Sequence, residues 1–228
     1  MFLSTNYCTL STGKTIAAII LGLCFLQPQL IAQDWTIYGS EPVMEGTPGG
    51  WDEEILSRSI LQFDDTLKMW YAGFDGDYGS PQVSIGYAWS LDGLAWNKNI
   101  SPVIHWSAEI WYGTMIWHPT VIFDDDANLY RMWYLGGWSN GSLGYATSTD
   151  GVNWFPDPEN PVDAPTPDGG WDIDGIRFGT VLVDDGLFKC WYGQETTGGG
   201  FAGIGYATSV DGSTWIKHPE IVIQRGVQ

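Results

Sequence analysis

A tryptophan recurs at residues 51, 111 and 171, and the residues after it differ in the ways that chemistry would require. Trp51 is followed by Asp52-Glu53-Glu54 and Trp171 by Asp172-Ile173-Asp174, whereas Trp111 is followed by Tyr112-Gly113-Thr114. A little further along come Arg58, then Trp117-His118-Pro119, then Arg177-Phe178. Two carboxylates facing one another across a bond are the equipment of glycosidic cleavage, one as acid and the other as base or nucleophile. Aromatic rings cover the apolar faces of sugars, and a nearby cation keeps a carboxylate ionised. Trp51, Glu54, Trp111, Trp117, His118, Trp171, Asp172 and Arg177 are therefore candidates to hold a carbohydrate. The competing reading is structural. Trp-Asp occurs at both 51–52 and 171–172, so these acids could equally tie a neighbouring loop, and His118 either faces a channel or is an ordinary polar strand residue.

The elements that would position these residues are repeats. Gly86-Tyr87-Ala88-Trp89-Ser90-Leu91-Asp92-Gly93-Leu94-Ala95-Trp96 returns as Gly144 to Trp154 and again as Gly205 to Trp215. Tyr-Ala-x-Ser reads as a short strand, Asp-Gly as a turn with positive φ at glycine, and Trp as the start of the next strand. Between these copies run an apolar strand ending in Asp64-Asp65, Asp124-Asp125 or Asp184-Asp185, and a second strand, Lys68-Met69-Trp70-Tyr71, Arg131-Met132-Trp133-Tyr134 or Lys189-Cys190-Trp191-Tyr192. The repeated aspartates read as turn formers.

One unit thus holds four short strands, and no helical periodicity follows the N-terminal segment. Four-stranded antiparallel sheets repeated at this length predict an all-β fold, a β-propeller, with blades over roughly 35–93, 96–151 and 154–212 and a trailing strand over 215–223 that opens a fourth. A β-sandwich does not ordinarily repeat internally. Three blades leave sheet edges unpaired, so the chain is expected to be the N-terminal part of a longer propeller or to associate with a partner that completes one.

Residues 1–32 read as a secretory signal: Lys14, the apolar run Thr15 to Leu26, and a small residue at Ala32. The propeller then occupies 33–228, and the protein is expected to be secreted or periplasmic, with no membrane association beyond the signal. Cys190 is the one cysteine outside that signal; it stands where Met69 and Met132 stand in the other copies and reads as core. A net charge of −18 repels phosphate backbones and anionic membranes, which argues against nucleic acid as a partner. Disorder does not explain the acidity, since 44% of the residues are hydrophobic and 14 are tryptophan. No His/Cys spacing supports zinc and no cofactor is required, although oxygen-ligated Ca2+ is compatible with so acidic a chain.

The blocks Ile85 to Trp96, Gly49-Gly50-Trp51-Asp52 and Lys68-Met69-Trp70-Tyr71 resemble those of the five-bladed β-propeller glycosidases, the arabinanase/β-xylosidase-like and invertase-like enzymes of glycoside hydrolase families 43 and 32. The turn also resembles the Asp box of sialidases, one residue shorter between Asp and Gly. The resemblance spans 34–228, about three blades of five. It implies a base from the first blade, an orienting acid from the second and a general acid from the third. Position by position, Asp52 is the base. The second blade offers His118 and no aligned aspartate, and the third offers Asp172 or Asp174, with Glu195 the nearest glutamate. On this resemblance the catalytic set is Asp52, Asp174 and Glu195.

Overall fold

The structure is a computed structural model, and it describes residues 37–108, 111–137, 141–162, 176–196 and 200–224. The chain divides into two compact units, Met1–Ser40 and Glu41–Gln228, and every strand described below belongs to the second. There is no helix among the described residues.

Among the described residues, thirteen strands form three antiparallel sheets. The first contains β1 (Glu54–Phe63), β2 (Thr66–Phe74), β3 (Val83–Ser90) and β4 (Asn97–Lys98). The second contains β5 (Ile116–Asp124), β6 (Leu129–Gly136), β7 (Ser142–Ser148) and β8 (Phe155–Pro156). The third contains β9 (Ile176–Asp184), β10 (Leu187–Thr196), β11 (Gly200–Ser209) and β12 (Ile216–Lys217), with β13 (Ile223–Gln224) also paired to β11. The expected all-β architecture of repeated four-stranded antiparallel blades is present.

Each sheet forms for the same local reasons. The second strand is covered on both faces, which is why it reads Met-Trp-Tyr without alternation; Trp70, Tyr71 and Ala72 are all fully buried. Glycine stands opposite Tyr71 and Tyr134, at Gly86 and Gly144, because a Cβ there would lie 2.5 and 2.4 Å from the tyrosine ring. After the third strand, Ser90 Oγ accepts from the Gly93 N–H at 2.9 Å and Asp92 Oδ1 accepts from Leu94 and Ala95 N–H at 2.8 and 2.9 Å. The Ser148/Asp150 and Ser209/Asp211 turns repeat this pattern bond for bond. Gly93, Gly151 and Gly212 have φ of 75°, 80° and 86°, the left-handed turn that Asp-Gly predicts.

The second-strand tryptophans then lock neighbouring sheets. Trp70 Nε1 of the first sheet donates to the Gly151 carbonyl of the second at 2.7 Å, and Trp133 Nε1 of the second donates to the Gly212 carbonyl of the third at 2.7 Å. Two buried clusters form at these seams. One gathers Trp70, Ile85 and Tyr87 with Val121, Tyr130 and Trp154; the other gathers Trp133, Leu135 and Tyr145 with Val181, Phe188 and Cys190. Cys190 is core, as its position among methionines suggests. The first strands adjoin one another: Ser59 Oγ of β1 accepts from the Val121 N–H of β5, and Thr120 Oγ1 of β5 donates to the Gly179 carbonyl of β9.

One expectation is corrected. The residues after each turn tryptophan close the sheet they leave instead of opening the next. β4, β8 and β12 pair back onto β3, β7 and β11, so the strand expected to begin a fourth blade at 215–223 extends the third sheet. The six-residue turn returns the chain alongside the strand it came from, so it stays in the same sheet. The paired aspartates sit at turns, as expected, in two ways. Asp64-Asp65 and Asp185-Gly186 are two-residue turns with Asp64 and Asp185 at φ 52° and 51°, while Asp124 ends β5, accepts the Ala127 N–H of the following turn at 3.1 Å and binds Arg131, and Asp184 ends β9 and binds Lys189.

Candidate functional site

The ladders of all three first strands break at the same end of the sheets. Irregularities fall between Ile55 and Arg58 in β1, between Trp117 and Thr120 in β5, and opposite Gly193 and Gln194 in β9. In β5 the cause is legible. Pro119 has no N–H to give the ladder, and the chain absorbs the extra residue by placing His118 at φ 51°. A left-handed conformation at a residue with a side chain is a sparsely populated state that surrounding contacts must hold. Here the His118 N–H donates to Ser57 Oγ of β1 at 2.8 Å, and its ring lies 5.2 Å from that of Trp117. Burial lowers the pKa of His118 and the charge of Arg177, on β9, lowers it further, so its imidazole is neutral at pH 7.

Beside this bulge opens a cavity of about 480 Å3, lined by Glu54, Leu56, Phe74, Tyr78, Pro81, Val83 and Met115. Its floor joins the cluster of Ala72, Phe74, Val83 and Met115, against which Leu56 and Trp117 pack. Its polar wall is Glu54, whose Oε1 accepts from the Tyr78 hydroxyl at 2.7 Å. Tyr78 stands edge-on to Phe74 with ring centres 4.9 Å apart, and the bond to Glu54 raises its phenol pKa. On the opposite face of the same β2–β3 connection lies a smaller, more polar crevice of about 340 Å3, bordered by Trp51, Asp75, Gln82, Ser84, His105 and Trp106. Residues alternate between the two sides because successive residues of a hairpin point oppositely.

The predicted site residues separate. Trp117, His118 and Arg177 come together where the ladders break, and Glu54 lines the cavity against whose floor Trp117 packs. Asp52 does neither. It is 1% exposed and paired to Lys98 of the outermost strand, with Lys98 Nζ 2.8 Å and the Tyr71 hydroxyl 2.9 Å from Oδ2. Burial pushes its pKa up, but hydrogen bonds from Lys98, Thr47 and Tyr71 and the charge of Lys98 outweigh this and hold it below the usual value. A carboxylate so enclosed cannot reach a substrate, and its reading as catalytic base is replaced by that of a tie between loop and sheet. The repeat supports this. Where Asp52 and Asp172 follow the tryptophan, the outer strand carries Lys98 and Lys217; where Tyr112 follows it, the outer strand carries Pro156.

Trp51 and Trp111 pack within their own sheets. Each ring lies nearly parallel to a tyrosine of its own sheet, Tyr71 at 5.9 Å and Tyr134 at 6.1 Å, over glycines that leave room for it. Trp51 Nε1 also donates to the Ile100 carbonyl at 2.9 Å, and Trp51 borders the smaller crevice. Trp171, Asp172 and Asp174 lie outside the described residues. Glu195 is in β10, its backbone opposite Phe201, and its side chain lies outside the description. Among the described residues no group of three or more His, Cys, Asp or Glu is placed to hold a metal ion.

Phe74, Tyr78, Pro81 and Met115 were missed by sequence reasoning. Their signal was a disagreement between copies, since the β2–β3 connection runs over residues 75–82 while the β6–β7 connection is only 137–141.

No family model matches the chain. An uncharacterized protein of Mycobacterium tuberculosis, found in two strains, is 29% identical over 155 residues, 66% of this chain and 48% of its own length. The chain therefore spans about half the length of the curated relatives it matches. Among solved structures, a family 117 glycoside hydrolase produced by the marine bacterium Zobellia galactanivorans superposes with a TM-score of 0.67 at 16% identity, covering 81% of this chain and 61% of that one. A structure from family 130, a family of mannoside phosphorylases that contains glycoside hydrolases targeting β-1,2-mannosidic linkages in Candida mannan, gives 0.63 at 17% identity, covering 82% and 60%. These likenesses establish the fold as glycoside-hydrolase-like.

Proposed function

We propose that the protein is a secreted carbohydrate-active protein that acts on glycosidic bonds of a poly- or oligosaccharide. The observation that carries this reading is the cavity at the broken end of the first strands, with Phe74, Tyr78 and Met115 as its apolar walls and Glu54 as its carboxylate. Phe74 and Tyr78 offer edges and faces to a sugar ring, and Glu54 replaces Asp52 as the reactive carboxylate of the first blade. Neutral His118 can donate or accept a hydrogen bond to a hydroxyl, and Arg177 adds positive charge beside it. The second carboxylate is expected from Asp174 or Glu195. A propeller that binds glycan without cleaving it is the second reading, favoured by the second blade, where Tyr112 and His118 stand in place of an orienting aspartate.

Turnover measured on a panel of aryl glycosides and oligosaccharides, with and without inorganic phosphate, tests both. The phosphate arm is included because one structural neighbour belongs to a family of phosphorylases. Glu54→Gln is expected to lower kcat about 100-fold or more, the usual range for losing an acid–base group, while glycan binding by calorimetry persists. Full turnover in Glu54→Gln removes Glu54 from the chemistry. Binding by the wild-type protein with no turnover on any member of the panel establishes the second reading.

A further inference from the structure

The two seams inside the chain define what a third must look like. At each, the tryptophan of one sheet donates to the turn glycine of the next, and the preceding cation crosses too: Lys68 Nζ reaches the Tyr130 hydroxyl at 2.6 Å, and Arg131 Nη1 the Asp211 carbonyl at 3.1 Å. The third sheet carries the same leading set, Lys189 and Trp191, with Trp191 packed on Tyr206 as Trp70 is on Tyr87. Yet Trp70 and Trp133 are 0% and 1% exposed, whereas Trp191 is only partly covered and Leu182, which pairs with Lys189, is 40% exposed. The first sheet shows the reciprocal defect. Ile60, opposite Met69, is 47% exposed, while its equivalents Val121 and Val181 are 3% and 4% exposed beneath the preceding sheet. The Gly93 carbonyl receives its own Trp96 indole, but among the described residues no preceding tryptophan donates to it as Trp70 does to Gly151.

A connecting segment is already in place on the third sheet. At both existing seams a valine N–H bonds the third strand of the sheet just left: Val103 to the Ile85 carbonyl at 2.7 Å and Val162 to Leu143 at 2.9 Å; Val222 makes the same bond to Ile204 at 2.9 Å. Met44 is the counterpart of Ile104 at the first seam, and it is only half-buried where Ile104 is 4% exposed.

We propose that the leading face of the third sheet is a docking surface for the first sheet of a second copy of this chain. Trp191 Nε1 donates to that copy's Gly93 carbonyl, Leu182 packs against its Ile60, and the Ile221–Gln224 segment takes the place of its Met44. Both halves of the seam are present on one chain, so the contact is head-to-tail, and two such contacts close a ring in which the described residues contribute three sheets from each copy.

Sedimentation equilibrium of the purified chain from low to high micromolar concentration is expected to show a dimer. Leu182→Glu and Ile60→Glu are surface changes that preserve the far-UV circular dichroism of the fold, and each weakens dimerisation ~100-fold or more, as expected for a charge placed in a buried seam. Mixing the two variants leaves one intact pair of faces and restores a heterodimer that neither forms alone. Trp191→Phe keeps the ring but loses the N–H donor at both contacts of the closed dimer, weakening it about 25-fold, or about fivefold for each hydrogen bond. A monomer at every concentration overturns the proposal, as does dimerisation unaffected by Leu182→Glu and Ile60→Glu; mass growing beyond a dimer overturns the closed ring.

Discussion

Asp52 and Lys98 form the charged pair on which the loop before β1 depends. The side chain of Asp52 is 2% exposed and that of Lys98 22%, so removing the lysine leaves a carboxylate with neither water nor a counter-charge. Lys98→Met is expected to cost about 3 kcal/mol, the usual range for breaking a buried pair from one side. Asp52→Asn combined with Lys98→Met should cost much less, because no charge is then stranded; equal losses in chemical denaturation would remove the pair from the account. The pH dependence has a definite sign. The folded pKa of Asp52 lies below its usual 3.8, so the folded state binds this proton more weakly than the unfolded chain. The stabilisation is complete above about pH 4 and is lost as pH falls through the depressed value. Stability of wild type relative to Asp52→Asn, measured between neutral and strongly acid pH, should fall in that window. At this scale the sequence was only partly legible. Trp-Asp at 51–52 and 171–172 announced a carboxylate, and its repetition hinted at a structural use, but its partner sits 46 residues away on the outermost strand. Glu54 was legible as a candidate for the opposite reason: no other copy has a glutamate there.

The turn between the third and fourth strands was readable because its chemistry is local. Ser, Asp and Gly within four residues bind one another's backbone, and the same bonds appear in all three sheets. Their connection to the neighbouring sheet was not readable, since Trp70 and Gly151 are distant in sequence. That seam makes a comparison possible. The Gly151 carbonyl accepts from both Trp70 and Trp154, at 2.7 and 3.0 Å, whereas Gly212 accepts from Trp133 while the Trp215 indole N–H stays buried without a partner. Trp70→Phe should therefore cost about 1 kcal/mol, and Trp133→Phe about 2 kcal/mol, because the second leaves a buried carbonyl without its indole donor. Equal melting temperatures for the two variants would refute the difference. Glycines with the same backbone sign provide a second comparison. Gly113 has φ 67° with nothing within 4 Å of an added Cβ, but at Gly151, φ 80°, a Cβ would meet Trp70 at 2.9 Å. Gly113→Ala should cost about 1 kcal/mol of left-handed strain, and Gly151→Ala clearly more.

Across the whole molecule, stability follows from how many seams each sheet joins. Sheets that contact only their sequence neighbours behave as a linear array, in which the energy is a sum of unit and nearest-neighbour terms. The second sheet has both faces covered, with Val121, Tyr130 and Met132 against the first sheet and Trp133, Leu135 and Tyr145 against the third. Among the described residues the first and third sheets each have one such seam, and Ile60 and Leu182 are correspondingly exposed. This ordering was invisible in the repeat, whose copies are equal as sequence and differ only by position. It has a measurable consequence for local opening. In a form kept monomeric by Leu182→Glu, amides of β6 should exchange with solvent about tenfold or more slowly than those of β2 and β10, because opening β6 breaks two seams and opening either neighbour breaks one. The two-residue outer strands β4, β8 and β12 should exchange fastest. Uniform protection across β2, β6 and β10 would show that the three sheets open as one cooperative unit. In that case the seam tryptophans couple the blades tightly enough that Trp133→Phe lowers the stability of all three sheets together, and the linear-array description fails.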